Sequence, residues 1–271
     1  MARTEMIPGH AGDLATASWE IDQPRYVAVL CHGYGEHIGR YEWVADQLNT
    51  HGASVYGVDH AGHGRSEGER VLITDFDLVV DDFHRLVRLA TERNPGMPVV
   101  LIGHSMGGMI AARYSQLHAD DLAAVVLSGP VLGSWAVLDD LLPLEEIPPT
   151  PIDPSALSRD PAVADAYTND PLVWHGDFKR PTLEALQGCL DRIDAHGSVG
   201  DIPLLYLHGE DDEVVPMEPS RAGIETIRGP ATEAKSYPGA RHEIFNETNK
   251  DDVLDDVTTF IDRVLNVRAI N

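Results

Sequence analysis

The sequence predicts an α/β fold, a mostly parallel central sheet with helices on both faces. Three observations carry this expectation. Short apolar runs alternate with amphipathic segments along most of the 271 residues, the pattern of a parallel sheet covered on both sides. One run is joined to the next segment by Gly103-His104-Ser105-Met106-Gly107, a turn-forming frame around a serine. A chain of this length with 43% apolar residues can bury one large core.

The elements follow in chain order. Strands are expected near 14–19 and 26–31, the second being the unbroken run Tyr26-Val27-Ala28-Val29-Leu30-Cys31. A helix follows at 41–51, then a strand at 54–58. The helix expected at 76–93 sets Leu78, Phe83, Leu86 and Leu89 on one face. A strand at 99–103, a helix at 107–118 and a strand at 123–128 come next. Between Val131 and about Gly200 the alternation breaks. Leu138, Leu141, Leu142, Leu144 and Ile147 form an apolar cluster, interrupted by Pro148-Pro149-Thr150-Pro151. Pro161 opens a short helix, and Pro181 opens another with Leu183, Leu186, Leu190 and Ile193 at helical spacing. Alternation then resumes with a strand at 203–207, a helix at 217–228, a strand at 233–237 and a helix at 249–266. The expected organisation is a body of residues 1–131 and 201–271, with 132–200 as a helical cap inserted after the strand that follows the serine turn. The cap is not expected to fold independently.

The serine frame matches G-x-S-x-G between a buried strand and a helix, the context of a nucleophile elbow. A serine hydroxyl is a weak nucleophile at neutral pH, and a histidine oriented by a carboxylate activates it. In an elbow enzyme the chain order is serine, acid, histidine. Four carboxylates stand in a row at Glu210-Asp211-Asp212-Glu213, just past the strand at 203–207. Asp212 is taken as the acid on its spacing from Gly209 and Val215, with Asp211 as the alternative. His242 alone among the 13 histidines lies after the acid and past the last strand, so it is taken as the base. His32, His60, His63, His104 and His208 near strand ends are expected to hold loops through backbone hydrogen bonds. The His60-Ala61-Gly62-His63 pair lacks an HExxH frame and cysteine partners. No metal and no cofactor are expected. The loop His32-Gly33-Tyr34-Gly35, after the strand at 26–31, is expected to supply the Tyr34 N–H of an oxyanion hole, with the Met106 N–H as second donor.

His32-Gly33-Tyr34-Gly35-Glu36-His37-Ile38-Gly39-Arg40-Tyr41, Asp59-His60-Ala61-Gly62-His63-Gly64-Arg65-Ser66-Glu67-Gly68 and the serine elbow resemble the monoacylglycerol lipase and lysophospholipase branch of the α/β-hydrolases. Gly209–Val215 and Gly239–Glu247 are similar to the segments that carry that family's acid and histidine. Leu157-Ser158-Arg159-Asp160-Pro161 and Asp170-Pro171-Leu172-Val173 resemble the bacterial monoacylglycerol lipases in particular. The resemblance spans about Arg25 to Leu265. It implies an α/β-hydrolase fold with Ser105 as nucleophile, Asp212 as orienter, His242 as base, and Tyr34 and Met106 at the oxyanion hole. Two departures are a bulky Tyr34, which narrows the pocket, and Ala240 where a glycine is common.

The function expected is a serine hydrolase cleaving esters with an apolar acyl chain, monoacylglycerol first. The alternatives are lysophospholipase, thioesterase or broad carboxylesterase activity, and more remotely a ligand-sensing protein without turnover. Dehalogenase and epoxide hydrolase chemistry on this fold uses an aspartate nucleophile and is excluded by Ser105. Leu138, Leu141, Leu142 and Ile147 are read two ways: as lining for an acyl tunnel that touches membrane or micelle surfaces, or as core packing beneath the cap. With 44 acidic against 20 basic side chains, the formal net charge is −24, which argues against nucleic acid and anionic lipid as standing partners. The expected partner is a small lipid ester. Only two cysteines are present, too few for a disulfide framework. With no run of 18 apolar residues and no signal-peptide core at the start, a cytoplasmic location is expected.

Overall fold

A computed structural model describes residues 2–270, with side chains described through Asn266. Its strands are β1 (Arg3–Gly9), β2 (Gly12–Trp19), β3 (Tyr26–Cys31), β4 (Ala53–Val58), β5 (Val99–His104), β6 (Ala124–Ser128), β7 (Leu204–Gly209) and β8 (Thr232–Tyr237). The helices are α1 (Glu42–Thr50), α2 (Phe76–Arg93), α3 (Met106–Leu117), α4 (Ala136–Leu141), α5 (Pro161–Asn169), α6 (Arg180–His196), α7 (Met217–Ile227) and α8 (Lys250–Ile270). The strands form one sheet in the order β1-β2-β4-β3-β5-β6-β7-β8. β1 and β2 pair antiparallel, as do β2 and β4, and the remaining pairs are parallel.

The central strands β3, β4 and β5 are buried along their whole length. That explains why they read as unbroken apolar runs rather than as alternating ones. One core lies on each face of the sheet. Phe76, Phe83 and Leu86 of α2 join Ile110 of α3 and Leu186 of α6 on one side. Val44 and Leu48 of α1 join Val257 and Phe260 of α8 on the other.

Two expectations need correction. β1 went unrecognised because it is an edge strand whose side chains are exposed or half-buried, so it carries no run of apolar residues. Backbone pairing from Arg3 opposite Ser18 to Gly9 opposite Gly12 holds it instead, and Pro8 is tolerated at such an edge. On α2 the buried face is Phe76, Val79, Val80, Phe83, Leu86, Val87 and Ala90. Leu78 is 40% exposed, because the 100° step per residue turns it away from Val79 and Val80.

Register brings the site together. Cys31 at the end of β3 pairs with Gly103 of β5, His104 with Ser128 of β6, and Gly209 of β7 with Tyr237 of β8. The chain therefore leaves β3, β5, β7 and β8 along one edge of the sheet, where open α/β sheets gather their sites. α4, α5 and α6 lie between β6 and β7. The apolar stripe of α6, read from the sequence as Leu183, Leu186, Leu190 and Ile193, is buried as expected.

Candidate active site

Ser105 sits between β5 and α3 with φ 57° and ψ −121°, a conformation that costs a non-glycine residue about 1–3 kcal/mol. The turn is held from both sides. The Ser105 N–H donates to the Ser128 carbonyl at 3.0 Å, and the Ser105 carbonyl accepts from Gly108 and Val131. A Cβ on Gly107 would run into the Cys31 carbonyl, and one on Gly103 would meet the Gly107 carbonyl. The glycines of the frame are thus required by close backbone approach.

The Ser105 Oγ lies 2.9 Å from His242 Nε2. His242 Nδ1 lies 2.7 Å from Asp212 Oδ2. The other carboxylate oxygen of Asp212 accepts from the Val214 and Val215 N–H groups at 2.9 and 2.8 Å. Those two bonds are the physical content of the Asp212-to-Val215 spacing, because the side chain folds its own loop back beneath the histidine. Asp211 is exposed and reaches the histidine loop only through its backbone N–H, which donates to the Ala240 carbonyl. The geometry therefore brings Asp212, and not Asp211, to His242.

Electrostatics reinforce the arrangement. Burial pushes the Asp212 carboxyl up, but the charge on His242 and hydrogen bonds from His208 and His242 outweigh it and hold the group well below the usual carboxylate range. For His242, burial pushes down and the Asp212 carboxylate pushes up further, leaving the imidazole above its ordinary value. His104, whose ring lies 4.7 Å from that of His242, is lowered to about 4 by burial and by His242. It stays neutral beside His242.

The loop after β3 lies against Ser105, since a Cβ on Gly33 would stand 3.2 Å from Ser105 Cβ. Gly33 is held through both of its backbone polar groups. The Gly33 N–H donates to Glu36 Oε1 at 2.7 Å, and its carbonyl lies 2.8 Å from His32 Nδ1. His32 Nε2 accepts from the His60 N–H, so Nδ1 carries the proton and donates to Gly33. In a trans peptide the C=O and the following N–H point in opposite directions. Anchoring the Gly33 carbonyl thereby orients the Tyr34 N–H. Met106 opens α3, and its N–H belongs to the first turn, which has no intrahelical acceptor.

Three of the other strand-end histidines bond backbone carbonyls, as the sequence suggested. His60 Nε2 donates to the His32 carbonyl, His63 Nδ1 to the Ala61 carbonyl and His208 Nε2 to the Val215 carbonyl. Among the described residues, the one grouping with three metal-ligand atoms within 4.8 Å is His84, His118 and Asp121, none of which borders the cleft.

Ser105 opens into a narrow cleft whose non-atom space, open mouth included, is about 490 Å3. Trp135, Ile152, Leu157, Phe178, Leu186 and Val214 supply an apolar lining. Glu36, Arg40, Tyr167 and Glu243 supply a polar one. Leu138, Leu141, Leu142 and Ile147 do not border it. Leu138 and Leu141 are buried in the core, with Leu142 and Ile147 packed against the same cluster. Of the two readings given for these four, the structure favours packing, since they join the core cluster and do not border the cleft. Sequence reasoning missed the polar lining. Arg40 bridges Glu36 at 2.7 Å and both oxygens of Glu243 at 2.7 and 2.8 Å. The signal was present in Glu36 and Arg40, two ionic residues four apart in a glycine-rich stretch. Their partner Glu243 lies 203 residues away.

Comparison with known proteins gives a consistent result. The family model described as serine aminopeptidase, S33 matches residues 22–249. A monoacylglycerol lipase of Mycolicibacterium smegmatis is 40% identical over 255 residues, covering 90% of each chain. The human monoglyceride lipase is 32% identical over 236 residues, covering 83% of this chain and 77% of that one. The crystal structure of a Paleococcus ferrophilus monoacylglycerol lipase superposes with a TM-score of 0.78 at 27% identity, covering 93% and 98% of the two chains.

Proposed function

The chain belongs to the α/β-hydrolase family described as serine aminopeptidase, S33, and from that membership we propose that it hydrolyses monoacylglycerols to glycerol and fatty acid. One observation carries the reading. The Ser105–His242–Asp212 triad, with contacts of 2.9 and 2.7 Å, opens into a cleft lined by both apolar and polar side chains. An ester of a fatty acid with glycerol likewise combines an apolar and a polar part. The names of the relatives at 40% and 32% identity agree with it.

His242 takes the proton of Ser105 as Oγ attacks the ester carbonyl. The Tyr34 and Met106 N–H groups receive the negative charge that develops on the carbonyl oxygen. His242 then returns the proton to the departing alcohol. Water, deprotonated by the same imidazole, releases the fatty acid from the acyl-enzyme. Asp212 keeps the imidazole in the tautomer this cycle needs and stabilises its charged form.

In this reading residues 132–200 act as a cap over a body formed by 1–131 and 201–271. The cap meets micelle or membrane surfaces only in passing. No described helix is long and apolar enough to cross a membrane, and the reading places the enzyme in the cytoplasm with no nucleic-acid partner.

Hydrolysis of mono-, di- and triacylglycerols and of a lysophospholipid, at matched acyl chains, tests the substrate. The monoacyl ester should be cleaved fastest, and equal or faster cleavage of diacyl or triacyl substrates rejects the assignment. A fluorophosphonate probe tests the chemistry, since wild-type protein should be labelled and Ser105→Ala should not.

A further inference from the structure

Glu247 lies in the segment between β8 and α8 that also carries His242, and the proposed mechanism gives it no part. Its side chain is sealed from solvent, yet both oxygens are well supplied with donors. Oε1 accepts from the Arg241 N–H at 2.9 Å and the Arg159 N–H at 3.0 Å. Oε2 accepts from the Thr248 N–H at 2.9 Å and from Arg159 Nε at 2.8 Å. Burial pushes this carboxyl up, but the Arg241 and Thr248 N–H groups and the Arg159 side chain outweigh it and hold the group below the usual carboxylate range. The bonds made to it are therefore charge-assisted. Arg241 directly precedes His242, whereas Arg159 belongs to the insertion between β6 and β7. The carboxylate thus ties the backbone beside His242 to that insertion. Other bonds run along the same seam. The Glu243 N–H, on the far side of His242 in the chain, donates to the Leu157 carbonyl at 2.8 Å. The Arg241 guanidinium donates to the Ser155 and Ser158 carbonyls, and Ser158 Oγ donates to the Asn246 carbonyl at 3.0 Å. Leu157 also borders the cleft, so the stretch 155–159 is part of the wall that faces Ser105.

We propose that Glu247 is a positioning residue for His242: its carboxylate locks residues 155–159 against the loop after β8, so that the insertion between β6 and β7 helps to aim the imidazole. The proposal rests on the hydrolase reading above and gives the base of that mechanism a second support besides Asp212. Asp212 meets the ring at Nδ1 and fixes which way it turns. The Glu247 seam fixes where the backbone that carries the ring stands. A misplacement of about 1 Å in a group that takes part in the chemistry costs roughly 10²-fold in rate. Residues 155–159 accordingly stay with the histidine loop whatever the rest of the cap does.

The test compares wild type and Glu247→Gln on two esters of the same fatty acid, a 1-monoacylglycerol and the p-nitrophenyl ester. The substitution keeps the size of the side chain but sets an NH2 group where a carboxylate oxygen accepted two donors. A departing glycerol alkoxide needs a proton from the imidazole and a nitrophenolate does not, so a misaimed His242 penalises the glycerol ester more. In the variant, kcat/KM should fall by about 10- to 100-fold on the glycerol ester and by several-fold less on the aryl ester. A loss of folded enzyme lowers both values in the same proportion. Equal losses would therefore make Glu247 a residue of the fold alone and overturn the proposal, and no loss on either ester overturns it as well. If Glu247→Gln does not fold, Arg159→Ala, which removes the Nε donor of a partly exposed side chain, carries the same comparison, and an unchanged ratio of the two esters overturns the proposal there. If wild type does not cleave the glycerol ester, the reading of function fails. If it cleaves both esters and the variants leave their ratio intact, only the role of Glu247 fails.

Discussion

At the scale of residues, Asp212 has two tasks that its neighbours in the acidic row do not share. One carboxylate oxygen closes its own loop on the Val214 and Val215 N–H groups and the other meets His242. Asp212→Asn should lower kcat by about 10⁴-fold, as when a triad histidine is left in the wrong tautomer, whereas Asp211→Asn should leave it near wild type. Steady-state kinetics of the two variants checks this, and a larger loss in Asp211→Asn would reverse the assignment. The same pair sets a pH dependence. In the proposed mechanism His242 can act as base only when neutral, and Asp212 outweighs burial to raise its pKa. The acid limb of kcat/KM, which reports the free enzyme, should therefore have its midpoint above the ordinary imidazole value of about 6.5. Removing the charge in Asp212→Asn should move that midpoint to lower pH. A wild-type midpoint below the ordinary value would contradict the electrostatic account.

At the scale of elements, α4 and α6 separate packing from recognition. Leu138 of α4 is buried away from the cleft, while Leu186 of α6 is both buried and part of its lining. Leu138→Ala should cost about 2–5 kcal/mol of stability, measured by denaturant unfolding, with the preferred acyl length unchanged. Phe178→Ala removes a ring from the lining and should shift the preferred acyl chain toward longer or bulkier substrates in a chain-length series. A shift in acyl preference caused by Leu138→Ala would instead return α4 to the acyl site. The stripe of α6 was legible because its leucines recur at helical spacing, and the strand–elbow–helix around Ser105 because its constraints are local. β1 was not legible, since an exposed edge strand is held by backbone pairing and leaves no apolar pattern. The facing of α4 was not legible either. A short helix of six residues shows apolar side chains without showing which partner buries them.

At the scale of the whole molecule, the formal charge of −24 acts on any charged substrate surface. Hydrolysis of monoacylglycerol presented in anionic vesicles should rise as salt is increased toward physiological strength, where the screening length falls to about 8 Å. With zwitterionic vesicles the rate should be nearly flat. Equal salt dependence on both surfaces would indicate that the charge of the protein does not govern its approach. The site is also a property of the whole sheet. Ser105, Asp212 and His242 come from loops after β5, β7 and β8, and Tyr34 from the loop after β3.

The sequence by itself determined the alternation that makes a parallel sheet, the strained serine turn, and the order of serine, acid and histidine along the chain. Each of these is written in local spacing, where glycine, apolar runs and helical periodicity act over a few residues. The tertiary structure alone decided that Arg40 joins Glu36 to Glu243 and that the leucines of α4 pack into the core instead of lining the cleft; for the acid, it brought to His242 the Asp212 that the spacing had already favoured over Asp211. Those outcomes depend on which segments the order β3-β5-β6-β7-β8 places side by side. Arg40 and Glu243 are 203 residues apart in the chain, and the spacing around Arg40 does not point to that partner.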